Sequence, residues 1–356
     1  MTLTTAIKRK PPIPKLIATI PVPSPLHLAV NSMTNRIYVT RLQDRLAVIN
    51  GASNKVATTI QLTNAPNFVA INQRLNRIYT LNTATTGTRR GFKGSVSVVS
   101  GRTNKSLATI PAGTDSSGIA VNPATGRVYV TNAGDNSLTV IDGIANKRIA
   151  TIKVGGTPFE VAVNPLTNLV YVSNFSAGTV SVINGATNRV VAVVKVGSGP
   201  DSIAINKQSG LVYVANTNSN SVSVINGRTH KVIATVRVGL FPSDILVNPV
   251  TNRIYTANLN SNTVTVINGI NHKVLTTVKV GEQPASLAID DVLNRIYVAN
   301  SSTKSPSGTV SVIQGSSSIV IATIKVGSLP LDIKVNPVTH RTYVVNTNGT
   351  TVSVIR

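Results

Sequence analysis

The residues with the clearest potential for chemistry occupy one place of an internal repeat, directly before a short apolar segment. In the eight copies of the repeat this place holds His27, Phe68, Gly118, Glu160, Ser202, Asp244, Ser286 and Asp332. Three carboxylates and one imidazole could hold a hard cation such as Ca²⁺ or Mg²⁺, because these ions prefer oxygen ligands, or they could hold a cationic ligand. Alternatively, Asp and Ser at this place could cap the turn that follows a proline, as in Pro242-Ser243-Asp244.

One loop of the second copy is longer than its counterparts. Tyr79 and Val96 are 17 residues apart, where the usual step from the tyrosine to the same position is nine. The loop contains a mixed basic and aromatic patch that consists of Arg89, Arg90, Phe92 and Lys93. Variable loops on a rigid scaffold commonly carry binding specificity, so we predict that this patch is a second contact site. The alternative is a solvated, Gly-containing loop without a partner.

Signatures of common enzymes are absent from the sequence. It contains no HExxH, P-loop, GxSxG or EF-hand pattern, and the lack of cysteine excludes disulfides, thiolate catalysis and Cys-ligated metals. His230, His272 and His340 stand where sister copies have Asn, so their spacing reflects the repeat. We therefore predict no catalytic residues and no cofactor, with a divalent cation at the four titratable residues above as the one exception that the sequence allows.

The elements that must position these residues are set by the repeat. All eight tyrosines fall at one place of one recurring phrase, and their commonest spacing is 42 residues. Each copy contains four segments rich in Val, Ile and Thr, bounded by Asn, Gly or Pro, which we name strands A to D. A period of about 40 to 45 residues with short strands is typical of a β-propeller. The sequence thus predicts an all-β, eight-bladed propeller of four-stranded antiparallel blades.

The ends of the chain indicate how the ring closes. The eighth copy stops after its C strand, whereas a D-like phrase, Lys15 to Val22, stands alone near the amino terminus and matches Lys231 to Val238. We predict that residues 15–22 supply the outer strand of the last blade, because this pairing removes the exposed edge of an open ring. The predicted domains are a flexible basic leader at 1–14 and one propeller at 15–356.

Three recurring phrases resemble a known family. They are the segments Asn252 to Asn258, Lys231 to Gly239 and Asn262 to Gly269. They resemble the YVTN-type β-propeller repeat proteins of bacteria and archaea, over about residues 15 to 356. The resemblance implies exported or surface-layer binding propellers, with single-stranded DNA association in some members, and it supplies no catalytic set. No signal-peptide pattern stands at the amino terminus, so we expect a cytoplasmic location by default and an exported or cell-surface one by resemblance.

The net charge of +23 suggests an anionic partner, and the repeat allows the charges to be placed. In a propeller the A–B and C–D turns lie on one face, here called the bottom, and the B–C and D–A loops lie on the top. Sequence position assigns 17 basic and three acidic residues to the bottom, but six basic and eight acidic residues to the top. The basic face could bind nucleic acid or another anionic polymer, or its charges could be consensus turn residues that duplication copied.

Three functions from different classes follow from these features. We favour a non-catalytic binding or scaffold propeller that engages a protein partner or small ligand through its top loops and channel mouth. The alternatives are a metal-dependent lyase or lactone hydrolase around Glu160, Asp244, Asp332 and His27, and an anionic-polymer binder on the basic face. We further expect a monomer, and no membrane span, since no apolar stretch reaches eighteen residues.

Overall fold

A computed structural model describes residues 12–43, 45–83, 91–303 and 305–356 of the chain. In these ranges the protein forms eight four-stranded antiparallel sheets, which are the blades of a propeller. The prediction of an all-β, eight-bladed propeller is therefore confirmed. The same ranges contain no helix that is long and apolar enough to cross a membrane.

The strands follow one another in a regular order around the ring. The first strand is β1 (Leu16–Pro21). Blades 1 and 2 contain β2 (Pro25–Asn31), β3 (Arg36–Arg41), β4 (Arg45–Asn50), β5 (Lys55–Gln61), β6 (Pro66–Asn72), β7 (Arg77–Asn82), β8 (Lys93–Ser100) and β9 (Ser106–Thr114). Blades 3 and 4 contain β10 (Ser116–Val121), β11 (Arg127–Asn132), β12 (Ser137–Asp142), β13 (Lys147–Lys153), β14 (Pro158–Asn164), β15 (Leu169–Asn174), β16 (Thr179–Asn184) and β17 (Arg189–Lys195).

The second half of the ring repeats this order. Blades 5 and 6 contain β18 (Pro200–Asn206), β19 (Leu211–Asn216), β20 (Ser221–Asn226), β21 (Lys231–Arg237), β22 (Pro242–Asn248), β23 (Arg253–Asn258), β24 (Thr263–Asn268) and β25 (Val274–Lys279). Blades 7 and 8 contain β26 (Pro284–Asp290), β27 (Arg295–Asn300), β28 (Thr309–Gln314), β29 (Ile319–Lys325), β30 (Pro330–Asn336), β31 (Arg341–Asn346) and β32 (Thr351–Ile355). A short 3₁₀ turn, Thr217–Ser219, lies between β19 and β20.

The ring closes as predicted. β1 pairs antiparallel with β32, with Leu16 opposite Ile355 and Pro21 opposite Thr351, and so completes blade 8. Residues 1–11 of the predicted leader lie outside the described residues. Of its remainder, Pro14 is buried, and the carbonyl of Pro12 accepts a hydrogen bond of 2.6 Å from Nη2 of Arg295 in blade 7.

The core lies between adjacent blades. All eight tyrosines, which belong to the B strands, are at most 1% exposed. In one such layer Tyr255 and Val266 of blade 6 pack with Ile296 and Val298 of blade 7. Each blade thus buries its apolar face against the next blade, which is why the B and C strands read as runs of Val and Ile.

Recurrent asparagines supply the turns and further bonds between blades. Asn168 and Asn188 take positive φ values of 54° and 56°, a backbone conformation that Asn tolerates better than most residues. At the end of strand A, Nδ2 of Asn122 donates at 2.8 Å to Oδ1 of Asn168 in the next blade. The abundance of Asn is explained by these two roles.

The A strands begin earlier than the sequence predicted. The position that holds His27, Asp244 and their six counterparts is here called the variable position. Each A strand starts two residues before it, so that β22 begins at Pro242 and Asp244 lies inside the strand. The prediction that this position precedes strand A was wrong, because the pairing continues across a bulge between Pro242 and Asp244. Every A strand lies beside the A strands of its two neighbours, and together they line the channel.

Candidate functional site

The top mouth of the channel contains a cavity of about 500 Å³. A strands from all eight blades contribute to its wall. The five residues that the sequence singled out here all line it, namely His27, Phe68, Glu160, Asp244 and Asp332. The ring geometry therefore brings together residues that are up to 305 positions apart in the chain.

Each of the three predicted carboxylates reaches from its own blade to the next one. Oε2 of Glu160 accepts the backbone N–H of Ile203 at 3.0 Å. The other two contacts join Oδ2 of Asp244 to the N–H of Leu287 at 2.8 Å, and Oδ2 of Asp332 to the N–H of Leu28 at 2.9 Å. These acids consequently tie blade 4 to 5, blade 6 to 7 and blade 8 to 1.

Local capping, the alternative that the sequence offered, is also present for the two aspartates. Oδ1 of Asp244 accepts the N–H of Ile245 at 2.8 Å, and Oδ1 of Asp332 accepts the N–H of Ile333 at 2.9 Å. One carboxylate oxygen therefore serves the aspartate's own strand, and the other serves the neighbouring blade.

From blade 2 to blade 8, the side chain at the variable position alternates between larger and smaller residues. Even-numbered blades carry Phe68, Glu160, Asp244 and Asp332, whereas the odd-numbered blades 3, 5 and 7 carry Gly118, Ser202 and Ser286. In blade 3 the backbone of blade 4 leaves no room for a side chain at this position. A Cβ added to Gly118 would lie 2.6 Å from the carbonyl oxygen of Phe159, which is closer than packing allows. Blade 1 differs, because the His27 ring stacks on Phe68 with 4.3 Å between the ring centroids.

The electrostatics of the mouth are unequal on its two sides. On the side of blades 4 to 6, burial together with the nearby charges of Asp244 and Asp201 raises the pKa of Glu160 to about 8. Burial and Asp244 raise the pKa of Asp201 to about 7, and burial raises the pKa of Asp244 as well. These carboxyls therefore crowd one another, and none of them forms an ion pair with a described residue, although the charge of Lys334 partly offsets the rise in the pKa of Asp244.

On the opposite side, blade 8 contains an ion pair. Nζ of Lys334 lies 2.5 Å from Oδ1 of Asp332. Burial alone would raise the pKa of Asp332, but Lys334 and His27 outweigh it and lower that pKa.

The carboxylates do not form a metal cage. Among the described residues, no group of three or more His, Asp or Glu side chains is placed to hold a metal ion. Each predicted acid is directed toward a different backbone N–H, and Nδ1 of His27 contacts the carbonyl oxygen of Asn67 at 3.0 Å. A divalent cation at the mouth, and the metal-dependent lyase or lactone hydrolase that would use it, stay predictions.

Sequence reasoning missed two members of the mouth as site residues. Asp201 lines the cavity next to Ser202, although it stands one place before the variable position. Phe159, which is 42% exposed, also lines it and stands 6.2 Å from the ring of Phe175, centroid to centroid. The available signal was that all five phenylalanines map to the top of the ring.

Of the loop patch, Phe92 and Lys93 are not among the described residues that line the cavity. Arg89 and Arg90 are outside the described residues. Phe92 and Gly91 donate their backbone N–H groups to Oδ1 of Asp115 at 3.1 and 3.0 Å, and Lys93 begins β8. A contact role for the patch stays a prediction.

On the bottom face, several arginines that start B strands are bonded to the next blade. Nη1 of Arg77 donates to the carbonyl oxygens of Gly143 and Ile144, the latter at 2.9 Å. It also donates to Oδ1 of Asn146 at 3.0 Å. Equivalent contacts are made by Arg127, Arg253 and Arg341. Part of the basic face therefore serves to join blades, and binding of an anionic polymer there stays a prediction.

Comparison with known proteins relates this architecture to one family model. A model described as YNCE-like beta-propeller matches residues 161–355 of the chain. The match runs from strand A of blade 4 to the last strand of blade 8, and it covers more than half of the sequence. A search of the curated proteins finds no match.

Proposed function

The chain belongs to the YNCE-like beta-propeller family, and on this basis we propose that it is a non-catalytic binding propeller whose channel mouth takes a small organic cation. The fold agrees with the YVTN-type repeat architecture that the sequence resembles. Propellers present a rigid ring whose mouth can differ in chemistry while the scaffold stays the same.

The unequal mouth is the observation that supports a cation. Glu160, Asp201 and Asp244 crowd one side of the cavity, and the raised pKa of each carboxyl reflects negative charge that burial disfavours. Among the described lining residues the lysine is Lys334, which forms its ion pair with Asp332 in blade 8 and acts on Asp244 and Glu160 only at longer range. A ligand cation between blades 4 and 6 would relieve the repulsion among these acids.

The other lining residues suit an organic rather than a metallic cation. Phe68 and Phe159 both line the cavity, and aromatic faces attract ammonium groups. A volume of about 500 Å³ is within the range of small-molecule sites. The carboxylates are fixed by neighbouring backbone N–H groups, so they can orient a ligand without first being ordered themselves.

Calorimetric titration with tetramethylammonium and with butylammonium tests this proposal. We expect binding that strengthens between pH 6 and pH 9, as Glu160 and Asp201 ionise, and that weakens at least about tenfold in the variant E160Q/D201N. The matched control is E282Q, which removes one carboxylate from the top face outside this cavity. Absence of binding by the wild type, or equal binding by E160Q/D201N, contradicts the proposal.

A further inference from the structure

Two junctions on the bottom face lack the arginine that makes the contacts described above. After blades 4 and 5, the arginine that starts strand B is replaced by Leu169 and Leu211. Its Asn or Ser partner in the next blade is replaced at the same two junctions by His230 and His272. Nδ1 of both histidines is buried, and no described residue supplies a hydrogen-bond partner to it. Because both positions change together, the chain contains two distinct kinds of junction.

At the junction between blades 4 and 5, a cavity of about 570 Å³ lies where the arginine side chain would be. It is lined by Leu169 and Tyr171 from blade 4 and by the C–D turn of blade 5, including Gly227 and Arg228. The carbonyl oxygens of Gly227 and Arg228 correspond to the arginine acceptors in sister blades. No side chain of the described residues donates to either one. Both oxygens are therefore available to a ligand.

The charge of this cavity differs from that of the next junction. Lys207 and Arg228 line it, both are exposed, and neither forms an ion pair with a described residue. No acidic residue is among its described lining residues. At the corresponding places of the junction between blades 5 and 6 the chain has Pro249 and Ile270. Arg102 takes the place of Arg228 in blade 2, but Gln73 stands there in the place of Lys207, so the combination of the two cations belongs to one junction.

We propose that this cavity binds a small hydroxylated anion, such as a sugar phosphate or a sugar acid. Lys207 and Arg228 face the anionic group, because their charges have no protein partner there. Hydroxyl groups of the ligand donate to the carbonyl oxygens of Gly227 and Arg228, which in sister blades accept from a guanidinium. The ligand thereby takes the place of the missing arginine and carries the opposite charge. This site is separate from the channel mouth and does not depend on the function proposed for it.

The test is calorimetric titration of the full chain with glucose 6-phosphate and with gluconate, with glucose as the uncharged control. The variant L169R introduces the arginine of the sister blades. It should fill the cavity, keep or raise the melting temperature, and weaken binding at least about tenfold. The variant R228I, which copies Ile270, should weaken binding by about tenfold without changing the fold. Matched controls are I270A at the neighbouring junction and E160Q/D201N at the mouth, and both should bind as the wild type does.

The two probes distinguish a phosphate ligand from a carboxylate ligand. Binding of glucose 6-phosphate alone assigns a phosphate ligand, and binding of gluconate alone assigns a carboxylate ligand; either result supports the proposal if both variants lose it. The proposal is overturned if neither probe binds the wild type, if glucose binds equally well, or if R228I binds unchanged. Since Arg228 lies in an exposed turn, R228I tests the site even if L169R fails to fold.

Discussion

The bottom and the top of the ring join neighbouring blades by opposite means. At the bottom, one residue type recurs: an arginine donates to two carbonyl oxygens and one side-chain oxygen of the next blade. At the top, the carboxylates of blades 4, 6 and 8 each accept one backbone N–H of the next blade. The contrast shows where the repeat is free to vary. The arginine contact is copied at four junctions of the bottom, whereas the top uses three carboxylates and leaves the other positions of its ring open to different chemistry.

The largest effect should come from breaking the ring itself. Deletion of residues 1–22 removes β1, so β32 loses its partner and blade 8 keeps an open edge. We expect the free energy of unfolding to fall by about 5 kcal/mol or more, a large share of the stability of a typical domain. Urea unfolding followed by circular dichroism measures the change, and deletion of residues 1–11 serves as the control. An unfolding midpoint equal to that of the control would contradict a stabilising role for the pairing of β1 with β32.

The next effect should come from one arginine of the bottom face. Arg341 donates to the carbonyl oxygens of Gly51 and Ala52 across the junction of blades 8 and 1. R341A leaves these acceptors without that donor, so we expect a loss of about 2 kcal/mol of stability. R102A removes the same charge from an exposed turn and should cost less than about 0.5 kcal/mol. Equal losses in the two variants would mean that net charge, and not the contact, sets stability.

A third test addresses the carboxylates of the top. The pKa of Glu160 is raised from about 4.5 to about 8 in the folded protein, so the native state binds this proton more tightly than the unfolded chain does. The stability that the neutral carboxyl contributes is present below about pH 4.5 and is lost as the pH rises toward 8. Gln cannot ionise, so the stability of E160Q relative to the wild type should rise by about 2 kcal/mol between pH 6.5 and pH 9. Thermal unfolding at both pH values checks this, and a constant difference would contradict it.

The smallest effect on stability should come from the rim of the mouth. Phe159 is 42% exposed, so F159A should change the free energy of unfolding by less than about 0.5 kcal/mol. The same variant should weaken tetramethylammonium binding about threefold, through loss of the aromatic face. L166A, in an exposed turn at the bottom, should change neither quantity. Unchanged binding by F159A would confine recognition to the carboxylates.

Most of the fold could be predicted from the sequence because the same pattern of four strands recurs in eight copies. The period of the tyrosines predicted the blades, and the solitary phrase at Lys15 to Val22 predicted the closure. The same counting located the variable position at the channel mouth. Its exact place within strand A was predicted wrongly, since the pairing extends through a bulge to the preceding proline.

The contacts between blades could not be predicted in the same way. The hydrogen bond between the N–H of Ile203 and Glu160 joins residues 43 positions apart, and no local sequence pattern predicts it. The exchange of arginine for Leu169 together with that of Asn for His230 is visible in the aligned repeats, but its meaning depends on knowing that these side chains face each other across a junction. Side-chain partners across blades therefore become clear only once the ring is built.

The pairing of β1 with β32 also bears on how the protein is made. The strand around Leu16 is synthesised before every blade, and its partner around Ile355 is synthesised after the first seven are complete. Until Ile355 has left the ribosome, the nascent chain holds seven complete blades and two unmatched edges, which are sites for association with other chains. Prompt pairing of β1 with β32 is therefore expected to protect the nascent ring from association with other chains.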